Sequence, residues 1–335
     1  MKMSKEFFSK PIDMSFLKKN VDREDNYRHY KNVCTEINKY EKFRACCPIC
    51  GKENKIRNIF IEVYDIEYIS CLKCSHVYQD LIPSEQNQYN SSVNVSKRMS
   101  KQLYEDREKS NYRLKQVVAP KIKFVLDQFP ENFIGKWLDV GCGTGELIKE
   151  IREHGWDSNG IDNNKSSINF AKENYNLDIH YGNVEQTDKT FFKNYDVISI
   201  FLLFEHLMNP RLFFKNIANG CKSGSLIVTE VNNSDSLSSF IQKKFPTKVD
   251  RHLLPCSHTN MFNHKSINYF FNSFGFELFA EWWFGQDFYE LFNILNDTKS
   301  TNSNIQTLIE SSNDLQRTID RQKFSDRVIY IFKKK

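Results

Sequence analysis

The chain has 335 residues, 40% of them apolar and 27% charged, enough to bury the core of one large domain or two modest ones and too apolar for a disordered linker. Residues 198–204 form its longest largely apolar stretch, far below the roughly 20 residues that a membrane-spanning helix needs, and the polar start Met1-Lys2-Met3-Ser4-Lys5-Glu6 has no secretory character. A cytoplasmic protein without membrane insertion is expected. Lys and Arg number 47 against 42 Asp and Glu. Residues 1–44 carry 11 basic and 7 acidic side chains and the chain closes on Lys333-Lys334-Lys335, so residues 45–332 are net −2. Such a core does not offer the cationic face on which nucleic-acid affinity depends.

Residues 1–44 are polar and aromatic with weak helical periodicity and no assignable motif. Two tight cysteine pairs follow, Cys47-Pro-Ile-Cys50 and Cys71-Leu-Lys-Cys74, separated by twenty residues. In a reducing compartment such pairs point to metal before disulfide, and the spacing is that of a zinc ribbon. Four thiolates close a tetrahedral zinc and leave no position for a substrate, so Cys47, Cys50, Cys71 and Cys74 are expected to hold a structural ion. Cys46 is an alternative first ligand and His76 a spare donor. Between the pairs, β-branched and aromatic residues predict strands over 56–64 and 67–70. Residues 80–110 turn polar and read as a linker or cover segment.

A helix is expected over 111–129, kinked or restarted at Pro120. Trp137-Leu138-Asp139-Val140 reads as a strand, Gly141-Cys142-Gly143-Thr144-Gly145 as a glycine loop and 146–154 as a helix. Strands to Asp162 and at 179–181, 197–200 and 225–231 then alternate with helices over 165–174 and 211–219, which predicts a parallel, doubly wound α/β sheet. A helix over 266–274 and strands over 276–284 and 326–332 complete it, with an insertion, 285–325, that is aromatic first and then polar, with a surface helix near 305–319. The expected organisation is an N-terminal extension (1–44), the ribbon (45–79), the cover segment (80–110) and the α/β domain (111–335).

A glycine loop between a strand and a helix lets backbone N–H groups approach a ligand closely. A dinucleotide site wants a third glycine where this chain has Glu146, an anion unsuited to a diphosphate. Asp139 before the loop suits a ligand with an ammonium group. Leu138-Asp139-Val140-Gly141-Cys142-Gly143-Thr144-Gly145 resembles motif I of the class I S-adenosylmethionine-dependent methyltransferases. The resemblance runs through most of residues 110–335 and implies a seven-stranded, mostly parallel, Rossmann-like sheet. It implies cofactor contacts at Asp139, Gly141, Cys142, Gly143, Gly145, Asp162, Asn163, Asn183, Val184 and Phe201. Asp162 stands where the family binds the ribose hydroxyls, and Asn183 where it touches adenine and more often has Asp. Cys142 needs no redox role.

Phe201-Leu202-Leu203-Phe204-Glu205-His206-Leu207-Met208-Asn209-Pro210 resembles the strand-four segment of small-molecule methyltransferases, with Asn209 a fitting N-cap and Pro210 a fitting first helical residue. Some relatives bind a metal with a further Glu three positions before the Glu-His pair. Leu202 stands there, so no catalytic metal is expected. His206 is a candidate general base for a hydroxyl acceptor. His258 is a second candidate, in a segment similar to the family's His-x-x-x-Phe element with Phe262, and His252 is a third.

An N-terminal ribbon joined to such a domain resembles bacterial methyltransferases of sugar, capsule and lipopolysaccharide pathways. The expected function is O-methylation of a sugar or surface-glycan precursor, the acceptor a small molecule or glycan such as a nucleotide sugar. In the Trp282-Trp283-Phe284-Gly285-Gln286-Asp287 segment, aromatic rings stack on a sugar face or belong to the core. Alternatives are a sugar C-methyltransferase, a ribosomal-RNA methyltransferase that grips RNA through its ribbon, and a non-catalytic binding subunit. The charge of residues 45–332 and the lack of an Asn/Asp-Pro-Pro-Tyr motif at strand four disfavour nucleic acid. Oligomeric state is left open.

Overall fold

In the computed structural model, residues 4–10, 12, 23–37, 39, 46–53, 55–80, 107–249, 252–255, 257–296 and 303–335 are described. Twelve strands run through them: β1 (Lys5–Phe8), β2 (Ile59–Val63), β3 (Ile66–Ser70), β4 (Val77–Gln79), β5 (Lys136–Val140), β6 (Asp157–Asp162), β7 (His180–Tyr181), β8 (Val197–Phe201), β9 (Leu226–Asn232), β10 (Asn260–Met261), β11 (Phe276–Phe284) and β12 (Arg327–Lys334). Eight make the main sheet in the order β1-β11-β12-β9-β8-β5-β6-β7. Every neighbouring pair is parallel except the two that involve β12. The chain thus forms the doubly wound α/β sheet with one more strand than expected, because β1 pairs with β11 in parallel.

The apolar strands are buried on both faces. Leu226–Asn232 is buried at all seven positions, as a central strand of a sheet covered on both faces must be. One face packs under the helices Ala119–Leu126 and Glu146–Glu153 around Trp137, Ile122, Val228 and Ile329. The other packs under Pro210–Gly220 and His264–Asn272 around Phe204, Phe214, Phe270 and Phe271. Asn209 accepts from Leu212 N and Pro210 opens the helix, as expected.

Boundaries differ at the linker helix. It begins at Arg107, passes through a π-helical turn at Leu114–Val118 and resumes as Ala119–Leu126 with Pro120 in its first turn. Pro120 therefore restarts the helix, since proline there forfeits only an N–H with no helical acceptor. Most of the expected cover segment, residues 81–106, lies outside the described residues. In the extension, Arg23–Ile37 is helical. The insertion holds three helices, Asp287–Asn296, Ser303–Glu310 and Ser312–Arg321, where one was expected near 305–319.

The ribbon strands β2, β3 and β4 form an antiparallel meander, completed on its far side by β10 from the α/β region. Cys47, Ile49, Cys71, Cys74 and Tyr78 share one buried cluster with Phe204, Phe262 and Phe270. Sheet and ribbon are packed together through apolar side chains.

Candidate active site

The glycine loop sits at the C-terminal end of β5, where an open α/β sheet places its ligand. Gly141 has φ +72°, and a Cβ there would come within 2.9 Å of Leu203 Cδ2. Gly145 has φ +78°, and a Cβ would meet Leu177 Cδ1 at 2.6 Å. Left-handed backbone and close packing together require glycine at both positions. Asp162, at the end of β6, accepts from Gly143 N at 2.7 Å through Oδ2 and from Asn164 N at 2.7 Å through Oδ1. A carboxylate offers about four acceptor positions, so two remain for a pair of hydroxyls. Cys142 packs beside Gly160, where an added Cβ would lie 2.6 Å from its sulfur.

Asp139 is buried and accepts from Ser199 Oγ at 2.5 Å. Burial pushes its carboxyl up to about 7, so a cationic group beside it is needed to hold it ionised near neutrality. Phe201 is half-buried at the end of β8, and Leu202 after it has φ +49°, a left-handed conformation rare for leucine. Asn163 is exposed, and Val184 is buried in the core with Ile161 and Phe192. Asn183 is exposed and lines a cleft of about 510 Å³ together with Gly182, Gln186 and Phe191. Its Oδ1 accepts from Glu185 N at 3.0 Å, so its oxygen caps a short turn.

His206 and His258, 52 positions apart in sequence, stand with ring centroids 4.9 Å apart. The segments are clamped by Thr259 N to the Glu205 carbonyl at 2.7 Å and by Thr259 Oγ1 to the Leu207 carbonyl at 2.9 Å. His206 Nδ1 donates to the Ser257 carbonyl at 3.0 Å, and His258 Nδ1 donates to the His252 carbonyl. These bonds select the tautomer with its lone pair on Nε2, the form a base requires. Burial lowers His206 below the ordinary histidine range and pushes His258 down to about 3, so both rings are neutral at physiological pH. His252 is fully buried, 3.6 Å from both Glu290 Oε2 and Asp326 Oδ2.

Glu205 was not singled out from sequence as a functional residue. It is 4% exposed, and Oε2 has no hydrogen-bond partner among the described residues. Burial pushes its carboxyl up to about 8. Glu205, His206 and His258 each place a donor atom within 4.8 Å of the others, a grouping that could hold a cation despite Leu202.

Cys47, Cys50, Cys71 and Cys74 bring their sulfurs within 4.8 Å of one another, with Cys47–Cys74 at 3.6 Å and Cys50–Cys71 at 3.5 Å. Zinc–sulfur bonds of about 2.3 Å in a tetrahedron put sulfurs about 3.8 Å apart, so the donor set fits zinc. The knuckles match: Gly51 N donates to the Cys47 carbonyl and Ser75 N to the Cys71 carbonyl, with positive φ at both Gly51 and Ser75. Cys46 is exposed and outside the group. His76 is also outside it, its Nε2 3.1 Å from Asn260 Oδ1. The ribbon abuts the histidine site: Tyr68 Oη donates to the His258 carbonyl at 2.5 Å and Gln79 N to the Thr259 carbonyl at 2.9 Å.

Trp282 and Trp283 are 8% and 2% exposed. Trp282 donates to the Ser9 carbonyl at 3.1 Å, so both rings are core and present no face to a sugar.

The sheet, the glycine loop at its switch point and the acidic residues ending β5 and β6 define a class I S-adenosylmethionine-dependent methyltransferase. The chain belongs to the methyltransferase domain family, whose sequence model matches residues 109–281. Among curated relatives, a ubiquinone biosynthesis O-methyltransferase of Coxiella burnetii is 34% identical over 103 residues, 29% of this chain and 44% of that protein. One of Aliivibrio fischeri is 28% identical over 116 residues, 33% of this chain and 50% of that protein. The chain thus spans half or less of the length of these relatives. Among solved structures, the magnesium protoporphyrin IX methyltransferase ChlM of Synechocystis with bound S-adenosylhomocysteine (SAH) is 12% identical, with a TM-score of 0.48 over 75% of this chain and 98% of that one. An S-adenosylmethionine-dependent methyltransferase of Archaeoglobus fulgidus is 22% identical, with a TM-score of 0.42 over 65% of this chain and 93% of that one.

Among the described residues no helix is long and apolar enough to cross a membrane.

Proposed function

We propose that the enzyme transfers the methyl group to a hydroxyl oxygen of a small-molecule acceptor, a sugar or surface-glycan precursor being the class the sequence favours. The observation that carries the oxygen assignment is the pair of imidazoles, tautomer-fixed by backbone carbonyls, one of them in the segment after β8 whose Leu203 packs against Gly141. A hydroxyl must lose its proton as it attacks, and a neutral imidazole accepts that proton. The O-methyltransferase names of the relatives support the same reading.

S-adenosylmethionine supplies an electrophilic sulfonium methyl. In this reading Asp139 holds the ammonium group, Asp162 the ribose hydroxyls, and the backbone around Gly141, Cys142, Gly143 and Gly145 the methionyl chain. Asn163, Asn183 and Val184 border the base, and Phe201 covers the sulfonium end. His206 takes the acceptor proton through Nε2, with His258 behind it. Their neutrality fits the task because a charged imidazolium would repel the sulfonium and could not accept a proton. Cys47, Cys50, Cys71 and Cys74 hold a structural zinc that fixes the ribbon against His258. The test is methyl transfer to a panel of nucleotide sugars and phenols, followed by the same assay on His206→Ala and His258→Ala. Loss of kcat by about 100-fold or more in His206→Ala is expected from removal of a general base. Wild-type turnover in both variants would end the assignment.

A further inference from the structure

One helix reverses the usual placement of its side chains. Leu237–Lys244 follows β9, at the same edge of the sheet as the glycine loop, because β9, β8 and β5 run parallel. A helix on the surface of a globular domain buries its apolar side chains and shows its polar ones. Here Ser236, Ser238, Ser239 and Gln242 are buried, while Phe240 and Phe245 are 55% and 45% exposed. Inward hydrogen bonds hold the helix: Ser238 N donates to Asp287 Oδ1 at 2.7 Å, Ser239 Oγ to the Asn233 carbonyl at 3.1 Å and Gln242 Nε2 to the Leu253 carbonyl at 2.8 Å. Ile241 adds an apolar anchor, packed with Val249 and with Ile294 of Asp287–Asn296. The two phenylalanines are left outside. Lys243 Nζ lies 3.6 Å from the ring centroid of Phe60, on the ribbon strand β2, and 5.8 Å from that of Phe240, so rings and ammonium make one continuous outer surface. Lys244 and Lys248 are also exposed, and Lys248 N donates to the Phe245 carbonyl at 3.0 Å. Residues 236–249 hold these three lysines and no acid. The exposed carboxylates of the elements that form the surface are Asp235, which acts on Lys243, and Glu62, two residues along β2 from Phe60. Asp287 and Glu290 of the adjoining helix are buried, and Asp250 and Arg251, which lie outside the described residues, cancel in charge. The surface is therefore aromatic and net positive.

We propose that this surface docks the enzyme on an anionic lipid bilayer, with the Phe240 and Phe245 rings in the interface and Lys243, Lys244 and Lys248 at the headgroups. The rings stand out from a helix, as residues that wedge between lipids do, and three lysines set against three lysines oppose pairing of two copies through this face. Docking places the cofactor edge of the sheet near the bilayer. Gln242 joins the surface to the candidate base site, since its Oε1 accepts from Leu253 N at 3.1 Å, next to His252, whose carbonyl orients His258. The docking holds whichever acceptor is methylated.

The experiment mixes the full-length protein with large unilamellar vesicles of phosphatidylcholine and, separately, of phosphatidylcholine with phosphatidylglycerol, and measures bound protein by co-sedimentation. Binding to the anionic vesicles is expected, and about tenfold or more weaker binding to the neutral ones. Phe240→Ser combined with Phe245→Ser should weaken binding to the anionic vesicles by about tenfold or more. Lys243→Gln combined with Lys244→Gln and Lys248→Gln should weaken it by about 100-fold, as the loss of three lysines near the headgroups implies. All five side chains are exposed, so the melting temperature and the Kd for SAH should stay as in the wild type, which separates lost docking from lost folding. The proposal falls if the wild type does not bind the anionic vesicles, if it binds the neutral ones as tightly, or if both variants bind as the wild type does. A dimer seen by sedimentation velocity that the phenylalanine variant dissolves would give the face to a second copy of the chain and overturn the proposal as well.

Discussion

Replacing Asp162 tests the cofactor site most sharply, because its two oxygens have countable partners. Oδ2 and Oδ1 each accept one backbone N–H at 2.7 Å, from Gly143 and Asn164, and in the proposed reading the remaining acceptor positions take the ribose hydroxyls. Hydrogen bonds to a charged group contribute about 1.5–3 kcal/mol each, so losing both ribose bonds in Asp162→Ala removes about 3–6 kcal/mol. At about 1.4 kcal/mol per tenfold, SAH affinity should fall by about 100-fold or more. Asp162→Asn keeps one acceptor oxygen but sets an amide N–H₂ against a backbone N–H. Its loss should be intermediate, about tenfold to 100-fold, corresponding to one charged bond. The assay is isothermal titration with SAH, with circular dichroism to confirm that the loop variants fold. An Asp162→Ala Kd within threefold of the wild type would refute the ribose assignment.

Asp139 predicts a pH dependence. Its pKa in the free protein is raised to about 7, so the carboxyl is protonated below that pH, whereas an ammonium ligand needs the carboxylate. SAH affinity should be level above pH 7 and fall by up to about tenfold per pH unit below it, and Asp139→Asn should weaken binding and flatten the profile. For the unliganded fold the sign is opposite: a raised carboxyl pKa stabilises below the unfolded value, and that contribution is lost as pH rises through 7. Zinc extraction is expected to loosen the histidine site, since β10 and the His258 carbonyl lean on the ribbon. Hydrogen exchange should rise at the Gln79 and Thr259 amides, which are bonded at 2.9 and 2.7 Å, and melting should shift downward. Unchanged exchange at those amides would separate the ribbon from the site.

The sheet was legible because its strands are short apolar runs between helix-period segments, and the glycine loop because left-handed, close-packed backbone admits only glycine. The four-cysteine group followed from spacing alone. β1, β4 and β10 escaped, since four, three and two residues carry no alternation to read, and β1 pairs with a strand more than 270 residues away. The tryptophan pair reads ambiguously because a buried β11 and an aromatic binding face have the same composition. Glu205 was legible as half of a Glu-His pair, yet its burial, which gives it a raised pKa, is a tertiary property. Glu230 had one signal, a lone carboxylate inside the apolar run Leu226–Asn232. In the structure it pairs with Lys121 and Arg327, which come from two distant segments.

Native mass spectrometry of the purified chain, with and without SAH, tests the account most directly because it counts both ligands at once. One zinc per chain in both samples and one SAH per chain after addition are predicted. A chain that takes up no SAH at saturating concentration would contradict the cofactor site, and a metal-free, folded chain with four reactive cysteines would contradict the ribbon.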